Sequence, residues 1–327
     1  MATVLSAIGP LSTEWGADLL QQAGVELRSA RLTSTMPLEE VAAAMRGCAA
    51  TIAGSELYTR ELFAAVPELR HIARFGVGYD AVDVAAATEA GVLLSTVPGS
   101  LDAAVADLAF ALMLGVARRL GEVDRAMRAN SWSPLAAVDV SFKTLGIIGL
   151  GRIGRAVARR ARGFEMRLLA TEPLPDLAFV REHGVELVPL ERLLAESDFV
   201  SLHLPLSAET EKFLDAENLS LMRPSAILIN TARGGLIDED ALETALAAGR
   251  IAGAGLDVRA VEPPLDFRFS RFENVLLAPH VASNTHETRR AMSRMAVDNV
   301  LRVLRGERPN GLINPVAWER FTGTTVG

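Results

Sequence analysis

Residues 145–155 read LGIIGLGRIGR, and this stretch decides which fold the sequence predicts. The apolar start suits a buried central strand, and three glycines follow in the spacing GxGxxG before a helical pattern. The first glycine permits a tight turn, the second lets backbone N–H groups approach a diphosphate, and the third lets the helix pack closely on the strand. A glycine turn that packs tightly without a ligand is the alternative interpretation. The predicted cofactor-binding residues of this turn are Gly149, Gly151, Arg152, Ile153 and Gly154.

A carboxylate, Glu172, follows the next strand candidate. Residues 167–170 read as a strand, and Glu172 comes 18 residues after Gly154. This spacing is near that expected for a carboxylate that accepts the adenosine ribose hydroxyls. Because a negative charge there repels a 2′-phosphate, the sequence favours NAD over NADP as the cofactor. The alternative for Glu172 is an ordinary surface charge.

Short apolar runs alternate with helical patterns along most of the chain, which predicts parallel α/β sheets. Strands are predicted in the first hundred residues at 2–8, 50–54, 69–74 and 92–96, and helices at 14–23 and 82–90. Later strands are predicted at 144–149, 167–170, 185–188, 199–202, 226–230, 253–257 and 275–278. The predicted fold class is therefore α/β, with two Rossmann-like domains on doubly wound parallel sheets.

Two long helical patterns set the predicted domain boundaries. Residues 101–129 read as one helix of about 29 residues, which is long enough to bridge two domains. A last amphipathic helix is predicted from about residue 285 to 304, and it would return the chain to the first domain. We therefore predict a flavodoxin-like substrate domain from residues 1–100 and 286–327, with an NAD-binding domain, 101–285, inserted into it.

Composition limits the classes of protein that the chain can belong to. Half of the 327 residues are apolar and the formal net charge is −7, without a run of Lys or Arg. This favours a globular protein and argues against nucleic-acid binding. The start lacks a signal-peptide pattern, and the apolar run 103–117 is too short to span a membrane, so we predict a cytoplasmic protein without membrane contact. Cys48 is predicted to be a buried, inert thiol, and no metal site is predicted.

Four polar side chains follow the later strand candidates. Arg233 lies in INTARGGLID, Asp257 and Glu262 lie in GLDVRAVEPP, and His280 ends LLAPH. The carboxyl ends of parallel strands meet at one edge, where open α/β sheets bind ligands. The arginine suits a carboxylate with a neighbouring carbonyl oxygen, and the histidine can exchange a proton with that oxygen. The glutamate would orient the imidazole and raise its pKa. A surface arginine, a structural histidine and an Asp257 that caps a loop are the alternatives.

At this point the sequence resembles the D-isomer-specific 2-hydroxyacid dehydrogenases, the family of phosphoglycerate dehydrogenase and of glyoxylate and hydroxypyruvate reductases. The resemblance runs from about Ile8 to Pro315. Besides GLGRIG, it rests on RFGVGYDAVD (74–83), HLPL with Thr210 (203–210), INTARGGLIDEDAL (229–242), GRIAGAGLDV (249–258), EPP (262–264) and APHVA (278–282). It implies an NAD-dependent enzyme that moves a hydride between nicotinamide and C2 of a small 2-oxo or 2-hydroxy acid.

The resemblance also implies a set of site residues. The catalytic residues would be Arg233, Glu262 and His280. Further cofactor contacts would come from His203, Pro205, Thr210, Thr231, Ala232 and Asp257. The substrate would be bound by Val77, Gly78, Arg233 and His280, although the loop 75–80 could instead be a plain turn. The family further implies a homodimer, with Trp132 near the contact unless that side chain is simply buried.

The substrate and the reaction have open alternatives. Gly54 stands where phosphoglycerate-type members often have an arginine, so a phosphorylated substrate loses one expected partner unless Arg74 or a partner chain replaces it. Phosphonate (phosphite) oxidation on the same fold is one alternative function, and a non-catalytic, NAD-sensing corepressor is another. Formate oxidation is disfavoured, because Pro279 stands before the histidine where formate enzymes have a glutamine nearby.

Overall fold

The computed structural model describes residues 1–132 and 134–322, so the last five residues of the predicted substrate domain lie outside the described residues. The chain divides into two compact units. One consists of Met1–Leu101 and Thr285–Gly327, and the other, Asp102–Asn284, is inserted between these segments. Each unit is a parallel sheet with helices, which confirms the predicted fold class.

The first unit is built on a parallel sheet with the strand order β2-β1-β3-β4-β5. These strands are β1 (Thr3–Ser6), β2 (Glu26–Ser29), β3 (Ala50–Ala53), β4 (His71–Arg74) and β5 (Leu93–Ser95). Its helices are α1 (Ala17–Gln22), α2 (Leu38–Met45), α3 (Arg60–Ala65) and α4 (Val84–Glu89), with α12 (His286–Leu304) and α13 (Pro315–Thr322) from the end of the chain. Sequence reasoning missed β2, because this edge strand, ELRS, is mostly exposed and lacks an apolar run.

The inserted unit has a sheet in the order β12-β11-β10-β9-β6-β7-β8, and all of its strand pairs are parallel. The strands are β6 (Thr144–Ile148), β7 (Arg167–Thr171), β8 (Val185–Leu187), β9 (Phe199–Leu202), β10 (Ile227–Asn230), β11 (Gly253–Leu256) and β12 (Val275–Leu277). The order reverses at β6, which pairs with β7 on one side and with β9 on the other. Such a reversal opens a crevice at the carboxyl ends of the strands.

Helices cover this sheet over an aliphatic core. They are α5 (Asp102–Ala117), α6 (Leu120–Arg128), α7 (Arg152–Ala161), α8 (Leu177–His183), α9 (Leu190–Glu196), α10 (Ala216–Ser220) and α11 (Glu239–Ala247). Glycines let α5 approach the sheet closely: a Cβ added to Gly255 in β11 would lie 2.8 Å from the Leu112 Cβ in α5.

The prediction of one continuous helix over 101–129 is wrong. The helix ends at Ala117, and Arg119 adopts a left-handed φ of 53° and forms a salt bridge with Glu122. The two segments differ in environment, because α5 is buried along most of its length whereas α6 contains no buried residue. The predicted helix 14–23 is also interrupted, since Gly16 turns with a φ of 98° between the 3₁₀ turn Thr13–Trp15 and α1.

Candidate active site

The glycine turn after β6 is a cradle that a larger residue would fill. Gly149 has a φ of 92°, and a Cβ there would lie 2.6 Å from the carbonyl oxygen of His203. A Cβ on Gly154 would overlap the carbonyl oxygen of Gly149, whereas a Cβ on Gly151 would meet no atom within 4 Å. Gly151 is also the N-cap of α7, and no side chain caps this helix end. The free space beside Gly151 lies at the N-terminus of α7, so an anionic group fits there.

Glu172 lies beside this turn at the end of β7. Its Oε2 accepts a hydrogen bond from the Leu150 N–H at 2.8 Å, and its Oε1 accepts one from the Leu174 N–H at 3.2 Å. The side chain is only half buried. Because a carboxylate has about four lone-pair sites, these two contacts leave capacity for ribose hydroxyls. The carboxylate is thus tied to the glycine turn and is more than a loose surface charge.

The segment after β9 also reaches the glycine turn, since the His203 carbonyl lies against Gly149. Thr210 closes the following loop: its hydroxyl donates to the carbonyl oxygen of Pro205 at 2.8 Å and accepts from the Ser207 N–H. Burial lowers the pKa of His203 to about 4, so its ring is neutral and pairs with Ser201 at 2.9 Å. Contacts of these residues with a cofactor remain predictions.

The first two residues of α7 differ in their surroundings. Arg152 is exposed and its Nε is 2.9 Å from Asp102 Oδ2, while Ile153 is half buried. Arg152, at the start of α7, is therefore paired with a carboxylate of α5.

The end of β10 is shaped by a residue that sequence reasoning did not select. The buried amide of Asn230 donates to the Arg233 carbonyl oxygen at 2.8 Å and accepts from the Ala232 N–H at 3.0 Å. An asparagine at the end of an apolar strand is the signal that could have identified it. The buried Thr231 hydroxyl has no hydrogen-bond partner among the described residues. An orphaned hydroxyl at this edge of the sheet fits a site that receives a bound polar group.

Asp257 follows β11 and holds the turn that contains His280. Its two carboxylate oxygens accept the Val281 and Ala282 N–H groups at 2.8 and 2.9 Å, and its carbonyl oxygen accepts the His280 N–H at 2.7 Å. Burial raises the pKa of this carboxyl. These contacts are those of the loop cap that was the alternative for Asp257, and its predicted nicotinamide contact remains a prediction.

Glu262 and His280 form a hydrogen-bonded pair. His280 Nδ1 lies 2.6 Å from Glu262 Oε2, and the two side chains are 47% and 36% exposed. The hydrogen bond and the negative charge of Glu262 raise the pKa of His280, against the effect of burial. Burial acts to raise the pKa of Glu262, but the hydrogen bond and charge of His280 outweigh it, and this pKa is lowered. The shift favours the protonated form of the imidazole, and Nε2 is the ring nitrogen that Glu262 does not occupy.

Arg233 belongs to the same group of side chains. It lies just after β10, half buried, and its Nη1 donates to the Ala232 carbonyl oxygen at 2.7 Å. Its positive charge acts to lower the pKa values of both His280 and Glu262. The inserted unit thus brings a guanidinium, an imidazole and a carboxylate together at the carboxyl ends of its strands.

In the first unit, the loop 75–80 follows β4 and is closed by Arg74. The Arg74 guanidinium donates to the carbonyl oxygens of Gly78 and Gly54, the former at 3.0 Å. Within the described part of the chain, the N–H groups of Val77 and Gly78 donate to no backbone carbonyl. Two neighbouring amides without a backbone acceptor are suited to bind a carboxylate.

Other sequence predictions have simple outcomes. Cys48 is buried and unpaired, as predicted. The alternative of a buried Trp132 is wrong, because this side chain is 85% exposed. Within residues 1–132 and 134–322, none of the helices has the length and apolar character that a membrane span requires. The same residues contain no cluster of three or more His, Cys, Asp or Glu side chains that could hold a metal ion.

Comparisons with known proteins show the family of the chain. Residues 110–282, within the inserted unit, match the profile described as D-isomer specific 2-hydroxyacid dehydrogenase, NAD binding domain. The chain is 49% identical to a glyoxylate reductase of Korarchaeum cryptofilum over 261 residues, which are 78% of this chain and 79% of that protein.

Solved structures extend the likeness to nearly the full length. A glyoxylate reductase from Paecilomyes thermophila superposes with a TM-score of 0.85 at 32% identity, covering 96% of this chain and 98% of that one. An NADPH-dependent glyoxylate/hydroxypyruvate reductase from Sinorhizobium meliloti, solved with NADP and malonate, gives 0.82 at 31% identity over 97% and 98%. The fold is that of a nicotinamide-dependent oxidoreductase. The chain belongs to the D-isomer specific 2-hydroxyacid dehydrogenase family, as the sequence predicted.

Proposed function

We propose that the protein reduces small 2-oxo acids to 2-hydroxy acids with NADH. The proposal depends on one observation, the Glu262–His280 pair beside Arg233 at the carboxyl ends of strands in the same sheet that carries the glycine turn. Glyoxylate and hydroxypyruvate are the substrates to test first, because related proteins of this family are described as reductases of these acids.

The roles of the side chains follow from their chemistry. When bound, the nicotinamide supplies the hydride that reduces the C2 carbonyl of the substrate. Arg233 binds the substrate carboxylate and polarises the carbonyl oxygen through its planar set of donors. His280 donates a proton from Nε2 to that oxygen, and Glu262 stabilises the protonated imidazole beforehand. In the reverse reaction, the neutral imidazole removes the proton from the hydroxyl group.

The preference for NADH over NADPH is proposed from Glu172. Its carboxylate is held beside the glycine turn by the Leu150 N–H, where it would accept the ribose hydroxyls and repel a 2′-phosphate. The related enzyme from Sinorhizobium meliloti is described as NADPH-dependent, so the preference has to be measured for this chain.

Two further parts of the proposal concern the first unit and the assembly. The Val77 and Gly78 amides are proposed to bind the substrate carboxylate. A homodimer is proposed because large apolar side chains are exposed in and after α6, namely Leu120, Met127, Trp132, Val138 and Phe142. A monomer would keep this apolar surface in water.

The test is a panel of 2-oxo acids with NADH and NADPH, followed by loss of absorbance, with the wild type and His280→Ala. Glyoxylate, hydroxypyruvate and 3-phosphohydroxypyruvate are included, together with phosphite and NAD for the oxidation alternative. We expect turnover of an unphosphorylated 2-oxo acid and a loss of about 100-fold or more in the variant. Undiminished turnover by His280→Ala would exclude the assigned proton donor. A wild type that oxidises phosphite, or that binds NADH without any turnover, would favour the other functions.

A further inference from the structure

A largely buried ion pair adjoins the loop that carries Glu262. Arg259 Nε and Nη2 contact the two carboxylate oxygens of Glu239 at 2.8 and 2.9 Å, and these side chains are only 10% and 18% exposed. The guanidinium also stacks over the Phe269 ring at 4.7 Å. A two-pronged contact of this kind fixes direction as well as distance. The places of Arg259 and Glu239 in the chain show which backbone segment this ion pair fixes.

The ion pair fixes the backbone that carries Glu262. Glu239 is the first residue of α11, and its Oε1 also accepts the Ala260 N–H at 2.9 Å. The Arg259 N–H in turn donates to Glu262 Oε1 at 2.9 Å. Glu262 therefore has one oxygen fixed by this backbone, while its other oxygen holds the His280 imidazole.

The same backbone supports the turn that contains Arg233. Gly234 is packed so tightly that an added Cβ would overlap the Arg259 carbonyl group and the Ala260 nitrogen. Gly234 directly follows Arg233 in the chain. The Arg259–Ala260 backbone is thus in contact with the backbone next to Arg233, and the N–H of Arg259 is hydrogen-bonded to the Glu262 carboxylate.

The exposure of the Glu262–His280 pair makes this support necessary. With both side chains more than a third exposed, their mutual attraction is screened by water and cannot by itself hold one geometry. A loop fixed by a less exposed ion pair supplies the missing constraint.

We propose that Glu239 and Arg259 are positioning residues, which hold the 259–262 backbone so that Glu262 and Arg233 keep their places around His280. This inference rests on the proposed function, because it assigns these residues a task in the same reaction. Arg259 and Glu239 contact no reacting atom in this proposal and act only through the backbone of Arg259 and Ala260.

The chain offers a matched control for the arginine. Arg271 also pairs with a glutamate of α11, Glu243, at 2.6 Å, and it also stacks over a phenylalanine ring, that of Phe272, at 4.9 Å. It differs in being 61% exposed and in having no hydrogen bond to the loop of Glu262 among the described contacts. Arg271→Gln therefore removes a similar interaction without touching the proposed support.

The experiment compares Arg259→Gln, Glu239→Gln, Arg259→Lys and Arg271→Gln with the wild type. We measure kcat and KM with glyoxylate and NADH, and the His280 pKa by NMR titration of the protein without cofactor, assigned with His280→Ala. The charged groups that act on His280 are Glu262, Arg233 and Asp257, and all of them are unchanged in these variants. Thermal unfolding identifies variants that are merely destabilised.

We expect Arg259→Gln and Glu239→Gln to lose about 10- to 100-fold in kcat with little change in KM for NADH, because the misplaced groups act on the reaction and not at the glycine turn. The His280 pKa falls in both variants, and Arg259→Lys restores part of each effect. Arg271→Gln behaves as the wild type.

Unchanged kcat and His280 pKa in folded Arg259→Gln would overturn the proposal, as would an equal loss in Arg271→Gln. If Arg259→Gln does not fold, Glu239→Gln and Arg259→Lys decide by the same two measurements. A wild type without 2-oxo acid turnover would refute the proposed function alone, because the NMR titration still reports whether the ion pair positions Glu262 against His280.

Discussion

Glu262 makes two hydrogen bonds that have different consequences. The bond to His280 raises the pKa of the imidazole, whereas the bond from the Arg259 N–H fixes the direction of the carboxylate. A raised pKa keeps the histidine protonated to a higher pH. Because the proposed reduction needs the protonated form, its pH range depends most on the neighbouring Glu262 carboxylate, with smaller effects of Arg233 and Asp257.

Glu262→Gln removes the negative charge but keeps a hydrogen-bonding side chain. We expect the pKa of His280 to fall, so that kcat/KM for 2-oxo acid reduction declines from a lower pH onward than in the wild type. The measurement is the pH profile of kcat/KM for glyoxylate. Glu182→Gln, on the exposed face of α8, is the control and should leave the profile unchanged. Superimposable profiles for Glu262→Gln and the wild type would contradict the assignment.

Glu172 allows a similar test of cofactor choice. Glu172→Gln keeps an acceptor for the Leu150 N–H and removes the charge that would repel a 2′-phosphate. We expect the ratio of kcat/KM for NADPH to that for NADH to rise at least about tenfold. The two cofactors are compared in steady-state assays with one 2-oxo acid. A ratio that stays constant would show that other residues determine the preference.

Among the secondary-structure elements, the turn between β6 and α7 contains one glycine expected to matter for stability and another expected to matter for cofactor binding. Gly154 touches the Gly149 carbonyl, so Gly154→Ala should destabilise the protein by about 1–3 kcal/mol. Gly151 faces free space, so Gly151→Ala should fold normally but weaken NADH binding, because the added methyl group occupies the place of the diphosphate. Unfolding in urea and NADH fluorescence titration measure the two effects.

Gly163→Ala is the control for both glycine variants, because a Cβ at this position also meets no atom within 4 Å and lies outside the turn. It should change neither the free energy of unfolding nor the Kd for NADH. If Gly151→Ala binds NADH as tightly as Gly163→Ala, the diphosphate does not lie at this helix end.

The helical segments after residue 101 contain a break that the sequence pattern does not predict. Helical periodicity continues from α5 into α6, and Gly115 and Gly121 are weak breakers, so one helix was expected. The chain instead turns at Arg119. The mostly buried helix α5 ends at Ala117, and α6, which has no buried residue, begins at Leu120. Tertiary packing of α5 against β10 and β11 determines where this helix ends.

For the chain as a whole, the exposed apolar residues of the α6 region predict a dimer. We expect sedimentation to give twice the mass of one chain, and we expect Met127→Glu combined with Trp132→Glu to shift the protein towards the monomer. Leu187→Glu, an exposed apolar position on β8, is the control. A monomeric wild type at micromolar concentration would refute the predicted homodimer. The predicted cytoplasmic location stays a prediction.

The sequence by itself determined the α/β fold class, the glycine turn and the family, because these depend on local periodicity and on motifs of contiguous residues. It also indicated Arg233, Glu262 and His280, since they lie in motifs of the family that follow predicted strands, and strands of a parallel sheet end at one edge. Such signals consist of neighbouring residues and can be recognised in the sequence alone.

Only the tertiary structure decided which side chains meet across distant segments. No local pattern pairs Glu239 with Arg259, assigns Asn230 to the turn before Arg233, or shows that both oxygens of Asp257 are taken by the His280 turn. The edge strand β2 likewise forms by pairing with β1, and the break at Arg119 follows the end of the buried helix α5. The physical reason is that hydrogen bonds and packing between distant residues depend on how the chain closes in space, which periodicity along the sequence does not encode.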